Sequence, residues 1–457
     1  MRTGKTENSI YKKALVLAVP MMIQNGITNA VGLVDNLMVG SLGTESMTAV
    51  SIVGQLIFVF FLAIFGGLSG PGIYSAQYFG KGDIQGVRRI FRLKIWIALI
   101  CTICGTIIFM CFGSELIGLY LHGESADIDS TKTLKLGMDY LGIMLIGFLP
   151  FCITQVYASS LRETGESIKP MIAGICSVAT DIILNYLFIY GKFGAPRLEV
   201  KGAAVATVIS RVVEMSVIII SSHANKQKHQ FLQGIYKTLK VPVNIWWPVV
   251  RKGFPIFINE FSWAGGIAVL TQCYSLRGLD VIAGMNISNA ICNLLNVVFI
   301  ALGNAVGIII GQYLGASRYE EAEKSGTKLM WFTGAVCVIL TVILISLSGV
   351  FPKAYDTTQQ VRDYGTKFIV ITALFFPLQG FLNSLYFTLR SGGKTLITLL
   401  FDSGYTWAFA VTTALILCHF TDMHILNIYL IIQMMDFIKV TIGYILIKKK
   451  IWLNNLV

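Results

Sequence analysis

Apolar runs of about twenty residues, separated by short polar breaks, recur from one end of the chain to the other. A helix rising about 1.5 Å per residue needs about twenty residues to cross the hydrocarbon core of a bilayer. The pattern predicts twelve such helices, near residues 14–36, 50–75, 93–113, 136–158, 168–190, 202–222, 253–276, 282–310, 329–350, 366–388, 396–418 and 425–447. The opening segment MRTGKTENSIYKK is basic, but no small-residue cleavage site follows it. The first span is therefore expected to be retained as a helix rather than removed as a signal peptide. One charge interrupts the pattern early: AVGLVDNLMVG, residues 30–40, keeps the carboxylate Asp35 among apolar and small side chains.

The 457 residues are 55% hydrophobic and 13% charged, with mean hydropathy +0.70. That is about half the charged share of a soluble protein, so the fold class is an all-α membrane protein. A net charge of +12 could suit nucleic acid, but the position of the cations excludes it. An even number of spans puts both termini on one side. That side holds 25 of the 36 lysines and arginines and the other side 9, with Arg211 and Lys439 inside spans. The excess predicts both termini in the cytoplasm. Nine cysteines are scattered singly apart from Cys101 and Cys104, whose CxxC on an apolar helix reads as packing. Histidines 122, 223, 229, 419 and 424 are all expected in loops, and no metal site is predicted.

The two halves repeat at an offset of 235. AVPMMIQN (18–25) lies over GFPIFINE (253–260), pairing Pro20 with Pro255. GIYSAQYFGKGD (72–83) lies over GIIIGQYLGASR (307–318), pairing Gln77 with Gln312 and Gly80 with Gly315. PFCITQVYASSLRETG and PLQGFLNSLYFTLRSGG correspond with one residue of slip. The predicted organisation is two six-helix lobes, 1–222 and 253–457, joined by a cytoplasmic linker at 223–252. Six spans per lobe make the repeat parallel, about an axis along the membrane normal, an architecture of secondary transporters. In the linker, Phe231, Leu232, Ile235, Tyr236 and Leu239 share one helical face and Trp246 and Trp247 follow, predicting an amphipathic helix on the inner membrane surface. GGLSGPG (66–72) reads as a hinge or a packing point in the second span.

A carboxylate at bilayer depth costs at least ~2.5–3.5 kcal/mol and usually serves an ion or substrate path. Six acids qualify: Asp35, Asp181, Glu214, Glu260, Asp402 and Asp436. Arg211 with Glu214, and Asp436 with Lys439, stand three apart and are expected to neutralise each other. Asp35 has no cation nearby in sequence, and Asp181 and Asn185 lie four apart on one face of the fifth span.

In their order along the chain, VDNLMVGSLGTESMTAVS (34–51), AQYFG (76–80), LRETG (161–165), GQYLG (311–315) and LRSGG (389–393) resemble the multidrug and toxic compound extrusion family. The resemblance implies cation-coupled export of cationic, amphipathic compounds by alternating access. It implies that Asp35, Asp181, Asn185 and Thr207 form an N-lobe cation site, and that Glu260 is a coupling residue on the seventh helix. One departure stands out: the family commonly has Asn-x-x-x-Asp on the fifth helix, where this chain reads Asp-x-x-x-Asn (181–185). Two carboxylates, an amide and a hydroxyl form an all-oxygen set suited to transient Na⁺, and the same carboxylates could instead carry H⁺. Asp402, Tyr274, Trp263 and Trp407, with Phe261, are candidates for holding an organic cation by charge and aromatic faces.

The expectation is thus a multi-pass plasma-membrane antiporter, not an enzyme, with no cofactor beyond its coupling ion. GGKT (392–395) resembles the tail of a phosphate loop, but Thr388 stands where the first glycine belongs. Partners are the lipid bilayer and small organic cations, and the chain is expected to act as a monomer. A lipid-linked oligosaccharide flippase of the same superfamily is the alternative; its long anionic substrate would call for several arginines inside spans. A prenyl transferase would need aspartate-rich motifs for magnesium-bound diphosphate, and the chain has no DDxxD.

Overall fold

The structure, a computed structural model, describes residues 3–121, 129–225 and 227–457; His122 lies outside them. The described residues are helical with no strand. Helices follow in order as α1 (Thr3–Gly40), α2 (Thr44–Lys81), α3 (Ile84–Leu121), α4 (Ser130–Met144), α5 (Phe148–Glu163), α6 (Ile168–Tyr190), α7 (Val200–Ala224), α8 (Val243–Ser275), α9 (Leu279–Gly315), α10 (Tyr319–Ser348), α11 (Gln359–Ser391), α12 (Thr395–Leu399), α13 (Thr412–Phe420) and α14 (Ile425–Lys448). A single 3₁₀ turn joins α4 to α5 into one span, and π-helical turns at Leu400–Gly404 and Thr406–Val411 join α12 to α13. Among the described residues the result is twelve helices long and apolar enough to cross a membrane, as the hydrophobic pattern predicts. Many are longer than their apolar runs because the helices continue into polar flanks, as α2 and α3 do.

The chain forms two compact units. One comprises Met1–Met22, Ala76–Asp83 and Pro248–Val457; the other comprises Ile23–Ser75 and Ile84–Trp247. These units depart from the halves of the repeat at two places. Ile10, Ala14, Leu17, Ala18 and Met21 share a buried core with residues of α9, α10 and α11, which draws the start of α1 into the first unit. The end of α2 joins the same unit by crossing α9. A Cβ on Gly80 would overlap the Gln312 carbonyl, and one on Gly315 would overlap that of Gln77. Each contact is the image of the other under the 235-residue repeat, so the two glycines are small for one reason: backbones meet there. Gln77, wholly buried, donates to Ser391 O (3.0 Å) and Asn454 O (3.3 Å) and accepts from Leu456 N (2.7 Å). The chain's last residues are thereby tied to the α2–α9 crossing.

In the second unit α2 runs unbroken through Pro71, so GGLSGPG acts here by packing. A Cβ on Gly67 would meet Ile97 at 3.1 Å, and one on Gly72 would meet the Glu163 carboxylate at 2.6 Å. Glu163 is occupied by Lys94, which the hydrophobic pattern leaves at the edge of a loop but which is fully buried on α3. The Lys94 ammonium donates to Glu163 Oε1 and Oε2 (2.7 and 2.6 Å) and to the hydroxyls of Ser159 (3.0 Å) and Ser160 (3.3 Å).

The linker corrects the expected amphipathic helix. Among its described residues between α7 and α8 there are two 3₁₀ turns, Gln230–Leu232 and Ile235–Lys237, and no α-helix. Gly234, at φ 68°, separates them. Arg88 and Arg92 of α3 donate to the carbonyls of Phe231 and Ile235 (both 3.1 Å), and Trp96 donates to Leu239 O (3.0 Å). The side chains of Phe231, Leu232 and Ile235 are buried in the unit rather than offered to lipid. Two histidines also depart from expectation: His223 and His419 sit in the last turns of α7 and α13.

Candidate functional site

α1, α6 and α7 bring the predicted N-lobe residues together. Asp181 and Asn185 are one turn apart on α6 and buried to 6% and 1% exposure, while Asp35 on α1 is half-buried. The Asn185 amide donates both its hydrogens: to Asp35 Oδ1 at 2.8 Å and to Asp181 Oδ2 at 3.1 Å. The order Asp-x-x-x-Asn therefore places the amide where it spans two carboxylates from different helices. Thr207 and Ser210 of α7 lie beside Asp181. Their hydroxyls also donate backward, to Ala203 O (3.0 Å) and Thr207 O (2.7 Å). Asp181 Oδ1 and Asn185 Oδ1 are buried without a hydrogen-bond partner. A buried polar atom left unpaired costs ~1–3 kcal/mol.

Arg211 of α7 pairs with Glu214 as expected, at 3.0 Å, and its guanidinium lies over Phe151 at 5.3 Å. Its field reaches Asp35 and Asp181 without a direct salt bridge to either. Glu214 takes up Arg211, so among the described residues no basic side chain stands in a salt bridge with Asp35 or Asp181.

Glu260 and Asp402 belong to the other unit. Glu260 on α8 sits near Tyr386, Arg390 and Asp402. Its neighbour Asn259 donates to Asp402 Oδ2 (3.0 Å) and accepts from the Ser403 hydroxyl (2.7 Å), fixing α8 against the π-helical turns. The expected pairing of Asp436 with Lys439 is corrected. Lys439 reaches across to Asp402 Oδ1 at 2.8 Å, whereas Asp436 accepts from the Gln379 amide. Helix packing puts Asp402 nearer to the ammonium than spacing within α14 does.

The aromatic candidates separate. Tyr274 is core: it is 4% exposed and packs edge-on against Tyr429 at 5.8 Å, which corrects its proposed place on a substrate surface. Trp407 is exposed but lies along Gly265 and Gly266 of α8, donating to Ser262 O at 2.8 Å. Trp263 is exposed, and Phe261 packs at a tilt against Phe257 with ring centroids 5.0 Å apart. Sequence reasoning missed Phe401, Tyr405 and Tyr386, which surround the charges of this unit; the first two flank Asp402 one helical turn apart and could have been found that way. It also missed that, in the paired Leu-Arg-x-x-Gly motifs, Arg390 is buried and Arg162 half-buried; Arg162 donates to Gln24 Oε1 at 2.7 Å.

At the end of α7 the linker borders an open cavity of about 640 Å³ lined by Ser222, His223, His229, Tyr236 and Lys237 among others. Lys169 donates to His229 Nε2 at 2.7 Å, which requires a neutral ring, and Lys228 pairs with Glu166. Burial, and next the Lys169 ammonium, push the His229 pKa down to about 4. In the unfolded chain it would be about 6.5. The stabilisation is therefore complete above about pH 6.5 and is lost as pH falls toward 4. The melting temperature of the purified protein should drop across that window, and His229→Gln should flatten the drop. An identical slope in the variant would exonerate His229.

Fold and cluster define the class: a twelve-span membrane transporter with an internal repeat and carboxylates held at membrane depth. The chain belongs to the MatE family, whose profile matches residues 20–187 and 255–403. Members of this family are transporters rather than enzymes. The chain is 23% identical over 427 residues to the probable multidrug resistance protein YoeA of Bacillus subtilis, covering 93% of this chain and 90% of the relative. It is 23% identical over 429 residues to the probable multidrug resistance protein NorM of Thermotoga maritima, covering 92% and 88%. Its fold matches a solved outward-facing multidrug resistance MATE family transporter of the MOP superfamily with a TM-score of 0.85, at 19% identity over 96% of each chain.

Proposed function

We propose that the chain is a multidrug efflux antiporter that exchanges Na⁺ or H⁺ for organic cations, with both termini in the cytoplasm of a plasma membrane. One observation carries the coupling: the pair Asp35 and Asp181, bridged by Asn185, with two buried oxygens left unpaired. An incoming ion satisfies those oxygens and cancels charge that burial disfavours. Ion occupancy at this cluster and drug occupancy then compete for a limited negative charge, which couples the two fluxes without a nucleotide. The names of the relatives support multidrug compounds as the substrate class. Charge supports cationic ones, because Asp35 and Asp181 meet through the Asn185 amide rather than through a basic side chain.

The test is ethidium efflux from vesicles containing the full chain, run with a Na⁺ gradient alone and with a pH gradient alone. Efflux should appear under one gradient and stay at the level of empty vesicles under the other, which names the ion. Glu260→Gln is expected to slow efflux several-fold, since Tyr386 and Arg390 would keep their places around a neutral side chain. Silence under both gradients would sink the antiporter and favour the flippase reading.

A further inference from the structure

The C-terminal unit holds one of its own side chains in the way a receptor holds a ligand. The Lys439 ammonium lies 2.8 Å from Asp402 Oδ1, with the rings of Phe401 and Tyr405 at 5.6 and 5.9 Å. A carboxylate with aromatic faces around it is how proteins bind organic ammonium ions. The cage is partly open: Lys439 is 13% exposed and Asp402 19%. Both rings are buried and set in place, Tyr405 by donating to Met435 O at 2.6 Å. The backbone that carries Phe401 and Asp402 is π-helical, and Tyr405 links it to a second π-helical turn; such turns are rare and frequent at functional sites. A purely structural ion pair explains the 2.8 Å contact; it does not explain the rings or the widened turns.

Lys439 also has somewhere to go. Asp436 lies three residues before it on the same face of α14, and the Gln379 amide that now donates to Asp436 is a neutral partner. We propose that the cage of Phe401, Asp402 and Tyr405 is a binding site for the cationic nitrogen of an organic monocation, and that Lys439 is its resident occupant, displaced onto Asp436 when that cation enters. Asp402, Asp436 and Lys439 together carry one negative charge in either position of the lysine. A monocation brings the sum to zero, whereas a neutral or anionic compound has no reason to expel Lys439. The lysine thus sets both the sign and the threshold for entry. This inference rests on the efflux reading only for its substrate class.

The test measures binding rather than transport, using ethidium fluorescence on the purified full chain. Lys439→Met removes the competitor and leaves Asp402 unpaired, so ethidium should bind about tenfold tighter or more. Adding Asp402→Asn to that variant should abolish the gain, and Asp436→Asn alone should weaken binding by removing the refuge. A second measurement needs no substitution: acylation of Lys439 by an amine-reactive ester, read by mass spectrometry, should rise when ethidium is present. Unchanged affinity in Lys439→Met, or labelling of Lys439 indifferent to ethidium, overturns the proposal. The outcomes stay separable from those of the antiporter. Binding controlled by Lys439 without gradient-driven efflux leaves this site standing and removes coupling; coupled efflux indifferent to Lys439 does the reverse.

Discussion

Asp35→Asn is expected to abolish gradient-driven efflux while leaving the protein folded. The asparagine keeps an oxygen where Asn185 Nδ2 now donates at 2.8 Å, so the bridge to α6 survives. What disappears is one of two negative charges retained at membrane depth against at least ~2.5–3.5 kcal/mol. A cation binding there must return at least that much, and each ~1.4 kcal/mol is tenfold in affinity. Coupling-ion affinity should therefore fall about a hundredfold. Thermal stability should hold or rise, because the repulsion between Asp35 and Asp181 is gone. Efflux in vesicles and melting of the same preparation decide the matter together. Full efflux in a stable variant would remove Asp35 from coupling, and a collapsed melting temperature would reassign it to architecture.

The largest stability effect is expected at a place unconnected with ions. Glu163→Gln would leave the Lys94 ammonium, wholly buried, with two hydroxyls and an amide in place of a carboxylate. Breaking a buried pair by removing one partner typically costs ~3–5 kcal/mol, because an uncompensated charge remains inside. Lys94→Met combined with Glu163→Gln should recover much of the loss, since both charges are then absent. Melting of the single and double variants in one detergent gives the comparison. A single variant as stable as the parent would mean that Lys94 reaches water or another acceptor. Gly72, whose Cβ would stand 2.6 Å from Glu163 Oε1, shows how closely α2 is fitted to this pair.

Much of the N-lobe site was legible before any coordinates. Asp35 stood out as an unpaired acid in an apolar run, and Asp181 and Asn185 announced a shared face by a four-residue spacing that a helix converts directly into proximity. Their meeting across α1 and α6 was available only through resemblance, because no local rule tells which helices touch. The C-terminal charges were less readable for the same reason. Spacing paired Lys439 with Asp436, yet the π-helical turns of the eleventh span carry Asp402 to within 2.8 Å of the ammonium. In the linker, a good helical pattern at 231–239 lost to tertiary hydrogen bonds from Arg88, Arg92 and Trp96, which satisfy its carbonyls at lower cost than a helix interrupted at Gly234.

Hydrophobic length was enough, taken alone, to predict twelve spans, and repetition paired Gly80 with Gly315; that backbones meet at these glycines where α2 crosses α9 came only from the fold. The spans follow from bilayer thickness, which acts on each segment wherever its neighbours lie. Which cation answers which carboxylate, which aromatic ring packs and which encloses a charge, and which lysine is buried were decided by the fold. Electrostatic and aromatic contacts depend on separations of a few ångströms between distant parts of the chain, and only packed helices set those separations.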